Sequence, residues 1–346
     1  MKGESRIVIR APNWLGDAVL ALPAMGAVRR RFPEAHLRIA APPSVAPLYR
    51  EVTDIRPDRV VELTGTSREV VATLEGGGYD LGILFPNSFR SAWQLKRARV
   101  PERWGYPTSM RGWLLTRRSA PGRPRGVQHQ SEYYRALVRG LEVPCDDALP
   151  HVEVSAPSAE RARDLLTQRG IDPAARLVGF APGAAYGQAK QWPAERVADV
   201  AARLVREYDA TCLVLGATHD RPVARAIESW LRAHAPDAAG RVMDLVGRTS
   251  LSALAGIAAC CRVVVSNDSG AMHLAAALGR PVVALFGPTD ERATRPLGDH
   301  DVMTEPVFCR PCLLRDCPID HRCMKRITTD AVFAAIARRL AATPVS

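Results

Sequence analysis

The sequence predicts an α/β chain of two doubly wound domains, and three observations carry that expectation. Short β-rich runs alternate with helical patterns. The alternation occurs twice along the chain, and 346 residues are enough for two separate cores. In the first half the runs are Arg6–Arg10, Leu37–Ala41, Val60–Leu63 and Leu81–Phe85. In the second half they are Leu177–Ala181, Thr211–Gly216, Val242–Val246, Arg262–Ser266 and Val282–Phe286. Such alternation gives parallel sheets joined by right-handed crossovers.

Between the runs lie amphipathic stretches. In "PAERVADVAARLVREY", Val197, Val200, Leu204 and Tyr208 recur at helical spacing behind Pro193. Pro23 falls inside the first helical stretch and is expected to kink or shorten it. Prolines and short polar residues cluster in "DDALPHVEVSAPSAE", residues 146–160, where the domains should join. The division expected is residues 1–155, residues 156–327, and a terminal helix over 328–346. Val332, Ile336 and Leu340 give that helix an apolar face, and a return to the first domain is one place to bury it.

Composition is that of an ordinary globular protein, 47% hydrophobic and 24% charged. The apolar runs at Ala18–Val28 and Leu274–Leu285 are interrupted by Pro23 and by Arg280-Pro281. Both fall short of the roughly 20 residues that span a bilayer. A cytoplasmic protein is expected, and its eight cysteines should be thiols or metal ligands. The net charge of +11 is concentrated in residues 90–139, which hold 12 basic and 2 acidic side chains, with Trp93, Trp104 and Trp113 interleaved. Arginine with tryptophan suits an anionic membrane surface or a phosphorylated glycolipid. Nucleic acid is disfavoured, because no nucleic-acid-binding motif accompanies the charge. A solvated basic face is the plainer alternative.

Three stretches carry chemistry. "RIVIRAPNWLGD" runs from a strand into a helix, yet its turn has one glycine, Gly16, followed by Asp17 where a phosphate-binding turn would be glycine-rich. "FAPGAAYGQAKQWP" follows a strand and offers Gly183, Gly187 and Lys190 to an anion, without the ending of a Walker motif. "VVVSNDSGAMHLAAALGRPVVALFGPTD" ends a buried strand at Ser266 and opens a helix at Asp268-Ser269-Gly270. Backbone N–H groups at Ser269 and Gly270 would face a phosphate, and His273 lies on the first turn. Helix capping by Asp268 or Ser269, or by Asp17 in the first stretch, is the alternative use of these residues.

These motifs and the late cysteine cluster from Cys309 to Cys323, in this order from about residue 6 to residue 330, together resemble the bacterial lipopolysaccharide heptosyltransferases of glycosyltransferase family 9. The resemblance implies the GT-B architecture, two Rossmann-like domains facing a central cleft, with the acceptor on the first and the sugar nucleotide on the second. It implies inverting transfer of L-glycero-D-manno-heptose from ADP-heptose to the first heptose of a phosphorylated lipid A core. The enzyme would sit peripherally at the inner face of the cytoplasmic membrane. By the same resemblance Asp17 is the general base, with Gly16 and the basic segment 90–139 on the acceptor side. Lys190 would pair with the leaving diphosphate; Gly183, Asp268, Ser269, Gly270 and His273 would line the donor site. Asp220, in "LGATHDRP", would contact the ribose, and Thr249 would lie near the base. No cofactor is required by this chemistry.

The cysteine cluster, Cys309, Cys312, Cys317 and Cys323 with His321 nearby, contains one zinc-like C-x2-C pair. The remaining gaps match no common zinc finger, so a structural zinc, reduced thiols and a disulfide all stay open. The alternatives for the whole chain are a family 9 transferase of other specificity, a sugar-nucleotide epimerase of the same architecture, and an anionic-lipid or nucleic-acid binding module.

Overall fold

The computed structural model describes residues 5–120 and 126–342. The chain divides into two compact units, Met1–Glu153 and Val154–Ser346. In the first unit the strands are β1 (Arg6–Arg10), β2 (His36–Ala41), β3 (Arg59–Glu62), β4 (Leu81–Leu84), β5 (Glu102–Gly105) and β6 (Arg117–Arg118). Its helices are α1 (Leu15–Leu20), α2 (Leu22–Arg31), α3 (Ser67–Glu75), α4 (Phe89–Arg97) and α5 (Gln130–Arg139). The sheet is parallel in the order β3-β2-β1-β4-β5-β6, with Ile7 opposite Leu37 on one side and Leu81 on the other. The chain order reverses between β1 and β4, so loops leaving the carboxyl ends of those two strands border the crevice where such sheets bind ligands.

In the second unit the strands are β7 (Leu177–Ala181), β8 (Thr211–Val214), β9 (Val242–Asp244), β10 (Val263–Asn267), β11 (Val282–Phe286) and β12 (His300–Thr304). Between them run α6 (Ala156–Gln168), α7 (Ala194–Tyr208), α8 (Arg221–His234), α9 (Pro236–Ala239), α10 (Leu251–Cys260), α11 (Gly270–Ala277) and α12 (Glu291–Thr294), followed by α13 (Arg322–Lys325) and α14 (Thr329–Ala342). The order β12-β11-β10-β7-β8-β9, again parallel, reverses between β7 and β10. Both strands are buried along their whole length, as a sheet covered on both faces requires. The loops after β7 and β10 are the glycine-and-lysine stretch and the Asp268-Ser269-Gly270 stretch.

The structure differs from the sequence-based expectation in three respects. Pro23 does not kink one helix; it separates two. α1 ends at Ala21, and Pro23 sits in the first turn of α2, where a missing N–H costs nothing. The last helix, α14, packs on α7, β10 and β11 of the second unit, with Val332, Ile336 and Leu340 in a core shared with Phe180, Val200 and Leu204. A return to the first unit is therefore not where its apolar face goes. Strands β5, β6 and β12 have no counterpart in the expectation, because "ERWG", "RR" and "HDVMT" carry no continuous apolar run.

The basic segment is partly structural. Arg111 is fully buried, donating to the carbonyls of Pro86, Ser88 and Tyr106. It ties the loop after β4 to the loop after β5, and burial pushes its pKa down to about 10. Trp104 is also core, against Phe32. Arg111→Ala strips three buried carbonyls of their donor and should lower the unfolding free energy of the first unit by about 2 to 4 kcal/mol in urea titration. Arg111→Lys should recover less than half of it, because one ammonium cannot reproduce the guanidinium fork.

Candidate functional site

The loop after β1 delivers Asp17 to the first turn of α1. Trp14 holds the position before the helix but makes no side-chain cap, and it is 63% exposed. Asp17 is not a plain cap either, because its Oδ1 accepts two hydrogen bonds from a different helix. Gln130 Nε2 donates at 3.0 Å and the Tyr134 hydroxyl at 3.1 Å. Gln130 and Tyr134 are four residues apart on α5, so one helical face presents both donors. Burial, and then the facing Asp17 carboxylate, push the Tyr134 phenol far above its usual pKa. It therefore keeps its proton and donates at any working pH. Arg10, at the end of β1, donates from its guanidinium to the carbonyls of Ala11 and Ala40 and to Asn13 Oδ1, and burial pushes its pKa down to about 10.

In the second unit, the loops after β7 and β10 are tied by Asn267, at the end of β10. Its side chain donates to the Pro182 carbonyl at 2.5 Å and accepts from the Trp192 N–H at 3.3 Å. This brings Lys190 to Asp268: Nζ stands 2.6 Å from Oδ2 in a nearly buried ion pair. Thr289 Oγ1 donates to the same carboxylate oxygen at 2.8 Å. Asp268 is thus occupied by Lys190 and Thr289 and does not cap α11. Ser269 occupies the cap position but makes no cap bond, since its hydroxyl meets Ser266 Oγ at 3.1 Å. The α11 start therefore keeps its N–H groups for another acceptor. His273 is buried on the same helix.

Gly183 and Asp220 belong together. A methyl at Gly183 would meet the Asp220 carboxyl carbon at 2.2 Å, so only glycine lets the loop after β7 lie on that carboxylate. Asp220 Oδ2 accepts the Ala217 N–H at 2.9 Å, while Oδ1 is buried without a hydrogen bond, His219 Nε2 standing 3.4 Å away. Thr249 is half-buried beside Ser250, whose hydroxyl caps α10. Lys190, Gly183, Asp220, Thr249, Asp268 and Ser269 lie on segments leaving β7, β8, β9 and β10, while Gly270 and His273 are on α11.

The sequence leaves zinc, reduced thiols and a disulfide open for the cysteine cluster. Among the described residues no group of three or more His, Cys, Asp or Glu side chains is placed to hold a metal ion. Cys309, Cys312, Cys317 and Cys323 are free thiols, and burial raises the pKa of Cys323. His321 turns its Nε2 to the Ala189 carbonyl at 2.7 Å instead.

Of the basic segment 90–139, residues 121–125 lie outside the described residues. Arg103, Arg111 and Arg135 serve neighbouring carbonyls, and Arg139 pairs with Glu132 and Asp147. What remains at the surface is a mixed patch on and beside α4. Phe89 and Trp113 are in ring contact, Lys96 Nζ lies 4.5 Å from the Trp113 ring, and Arg97 stacks near Trp93. Met110 beside them is 89% exposed. No helix among the described residues is long and apolar enough to cross a membrane.

Gln130 and Tyr134 lie outside every motif quoted from the sequence, whereas Arg10, Asn267 and Thr289 fall inside the quoted stretches with their contacts unforeseen. The first two leave only a trace, as polar groups four apart in "QSEYY".

Two parallel, doubly wound sheets with site loops at both switch points match the GT-B architecture. The family model of glycosyltransferase family 9 (heptosyltransferase) matches residues 68–322, and the chain belongs to that family of glycosyltransferases. It is 31% identical over 312 residues to lipooligosaccharide heptosyltransferase 2 of Haemophilus ducreyi, covering 86% of this chain and 88% of that one. With lipopolysaccharide heptosyltransferase 2 of Escherichia coli it shares 29% identity over 84% and 85% of the two chains. The solved structure of E. coli ADP-heptose LPS heptosyltransferase II matches with a TM-score of 0.82 at 26% identity, covering 97% and 98%.

Because Asn267 joins the two loops of the second unit, Asn267→Ala leaves the Pro182 carbonyl and the Trp192 N–H unpaired. The unfolding free energy should fall by about 2 to 3 kcal/mol. Amide exchange should quicken between residues 183 and 192, read by mass spectrometry, while the first unit's exchange stays unchanged.

Proposed function

We propose that the chain is an inverting transferase that moves L-glycero-D-manno-heptose from ADP-heptose to the first heptose of a phosphorylated lipid A core. The observation that carries this reading is the arrangement around Asp17. In a family 9 glycosyltransferase, a phosphate-binding glycine turn has been replaced by a carboxylate whose Oδ1 is gripped by Gln130 and Tyr134. Such a carboxylate repels phosphate and is suited to receive a proton. The first unit then takes the acceptor, and the second takes the nucleotide. The names of the relatives, heptosyltransferase 2 and ADP-heptose LPS heptosyltransferase II, support the donor and the acceptor class.

In the reaction the acceptor hydroxyl oxygen attacks the anomeric carbon, and Asp17 receives its proton. The bond from that carbon to the diphosphate oxygen breaks, and the electron pair leaves with ADP. Lys190 and the N–H groups at Ser269 and Gly270 receive the growing negative charge. To do so Lys190 exchanges its Asp268 contact for phosphate, or shares the two. The unpaired Asp220 Oδ1 suits a ribose hydroxyl, which would donate to it. Gly16 lets an acceptor come close to the start of α1, and Thr249 lies toward the nucleobase.

Localisation follows from the same patch that the basic segment leaves exposed. Phe89, Trp93, Met110 and Trp113 with Lys96 and Arg97 combine apolar and cationic contacts, suited to an anionic leaflet. The enzyme is read as cytoplasmic and peripheral to the inner face of the membrane, with no nucleic acid among its partners and no cofactor in the transfer step.

Acceptor-dependent release of ADP, together with an extended glycolipid in mass spectrometry, is the direct test. ADP release without acceptor would indicate an epimerase-like reaction instead. Asp17→Asn should lower kcat about a hundred- to ten-thousand-fold with the Kd for ADP within twofold of the native value. Unchanged turnover would remove Asp17 from the mechanism. The double change Trp93→Ala and Trp113→Ala should weaken flotation with phosphatidylglycerol vesicles while leaving turnover of a short, soluble acceptor intact.

A further inference from the structure

The run 308–321 has no part in the reading above, yet it is stitched to the loop after β7 and to the loop after β11 that carries Thr289. On one side Leu313 N–H donates to the Pro288 carbonyl at 2.9 Å. Arg310 donates to the carbonyls of Gly287 and Thr289 and pairs with Glu291. On the other side the Arg315 carbonyl accepts the Ala189 N–H at 2.9 Å, and the Leu313 carbonyl accepts the Tyr186 hydroxyl at 2.7 Å. The fit is tight: a methyl at Gly187 would lie 2.4 Å from the Arg315 carbonyl oxygen. The loop that carries Lys190 is therefore laid directly on residue 315.

That packing brings a second cation to the lysine. Arg315 has its guanidinium carbon 5.3 Å from the centre of the Tyr186 ring, and Lys190 Nζ is 4.7 Å from the same centre. The two charges are no farther apart than the sum of these distances. Asp268 compensates Lys190, but no carboxylate among the described residues pairs with Arg315, which is exposed. Two cations held at one ring with one carboxylate between them leave a net positive charge that a doubly charged anion would relieve. Cation–π contact fixes the guanidinium, and its planar fork offers paired N–H groups to phosphate oxygens.

We propose that Arg315, held by Tyr186 and the cysteine-rich run, is a second diphosphate-binding cation beside Lys190, completing the grip on the leaving group. The proposal rests on reading Lys190 as the diphosphate partner. It also gives the cysteine-rich run a purpose, since the run positions Arg315 and the lysine loop on each other. Because charge grows on the diphosphate as the sugar departs, Arg315 acts on kcat as well as on affinity.

Calorimetric titration of the full chain with ADP and with AMP, at fixed salt, tests this. Arg315→Gln should raise the Kd for ADP about tenfold while changing that for AMP by less than threefold. Arg315→Lys should recover part of the loss, and Tyr186→Leu, which keeps the charge but frees the side chain, should fall between. Turnover with saturating donor should fall in the same order. Native ADP affinity and native kcat in Arg315→Gln would overturn the proposal. Lys190→Ala separates the two levels. If it weakens ADP binding and Arg315→Gln does not, only the role of Arg315 falls. If neither does, the diphosphate reading of the site falls as well.

Discussion

The ion pair between Lys190 and Asp268 is the contact on which the second unit's site depends. Taking both charges out of water costs several kcal/mol, and their attraction repays it only when the remaining polar valences are filled. Here Thr289 supplies one of those bonds, and the Asp268 main-chain carbonyl lies 3.4 Å from the ammonium. A pair of this kind adds little to stability by itself. Its effect is positional: it draws the loop after β7 onto the loop after β10, with Asn267 as the second tie. With the two loops joined, α11 starts at the point where the strand order reverses, two residues past Asp268 of the ion pair, and has no side-chain cap bond. The site is thus assembled by charge neutralisation between loops that no regular secondary structure connects.

The first unit solves a different problem with similar means. A carboxylate at the start of a six-residue helix gains some stabilisation from the helix end, which alone would lower its basicity. Neutral donors from α5 hold it in one orientation without adding a full positive charge. The nearby guanidinium of Arg10 spends its hydrogen bonds largely on backbone carbonyls. The carboxylate is therefore held in one orientation by neutral donors, which suits the general-base role proposed for it.

Much of this is legible in the sequence, and the reason is local. β1, β7 and β11 fall on the runs expected of them, because a buried parallel strand needs a continuous apolar stretch and nothing more. Glycine and lysine after β7, and Asp-Ser-Gly after β10, are local signals too. What stays hidden depends on contacts between distant segments. Gln130 and Tyr134 lie 113 and 117 residues from Asp17, and nothing in their own surroundings marks them as its partners. Arg111 reads as surface charge because composition cannot distinguish an arginine in water from one that knots three carbonyls. The cysteine spacing leaves their use open, since spacing alone says nothing of whether four thiols converge.

The rim of the first sheet has a bearing on how the protein behaves at high concentration. Its last strand, β6, is two residues long, and both are arginine. An open strand border offers unpaired amide and carbonyl groups to any passing chain, and aggregation commonly begins there. So short a ribbon gives an incoming strand little to register against, and two such rims brought together would repel. Two copies can thus meet at this rim without their first sheets joining there.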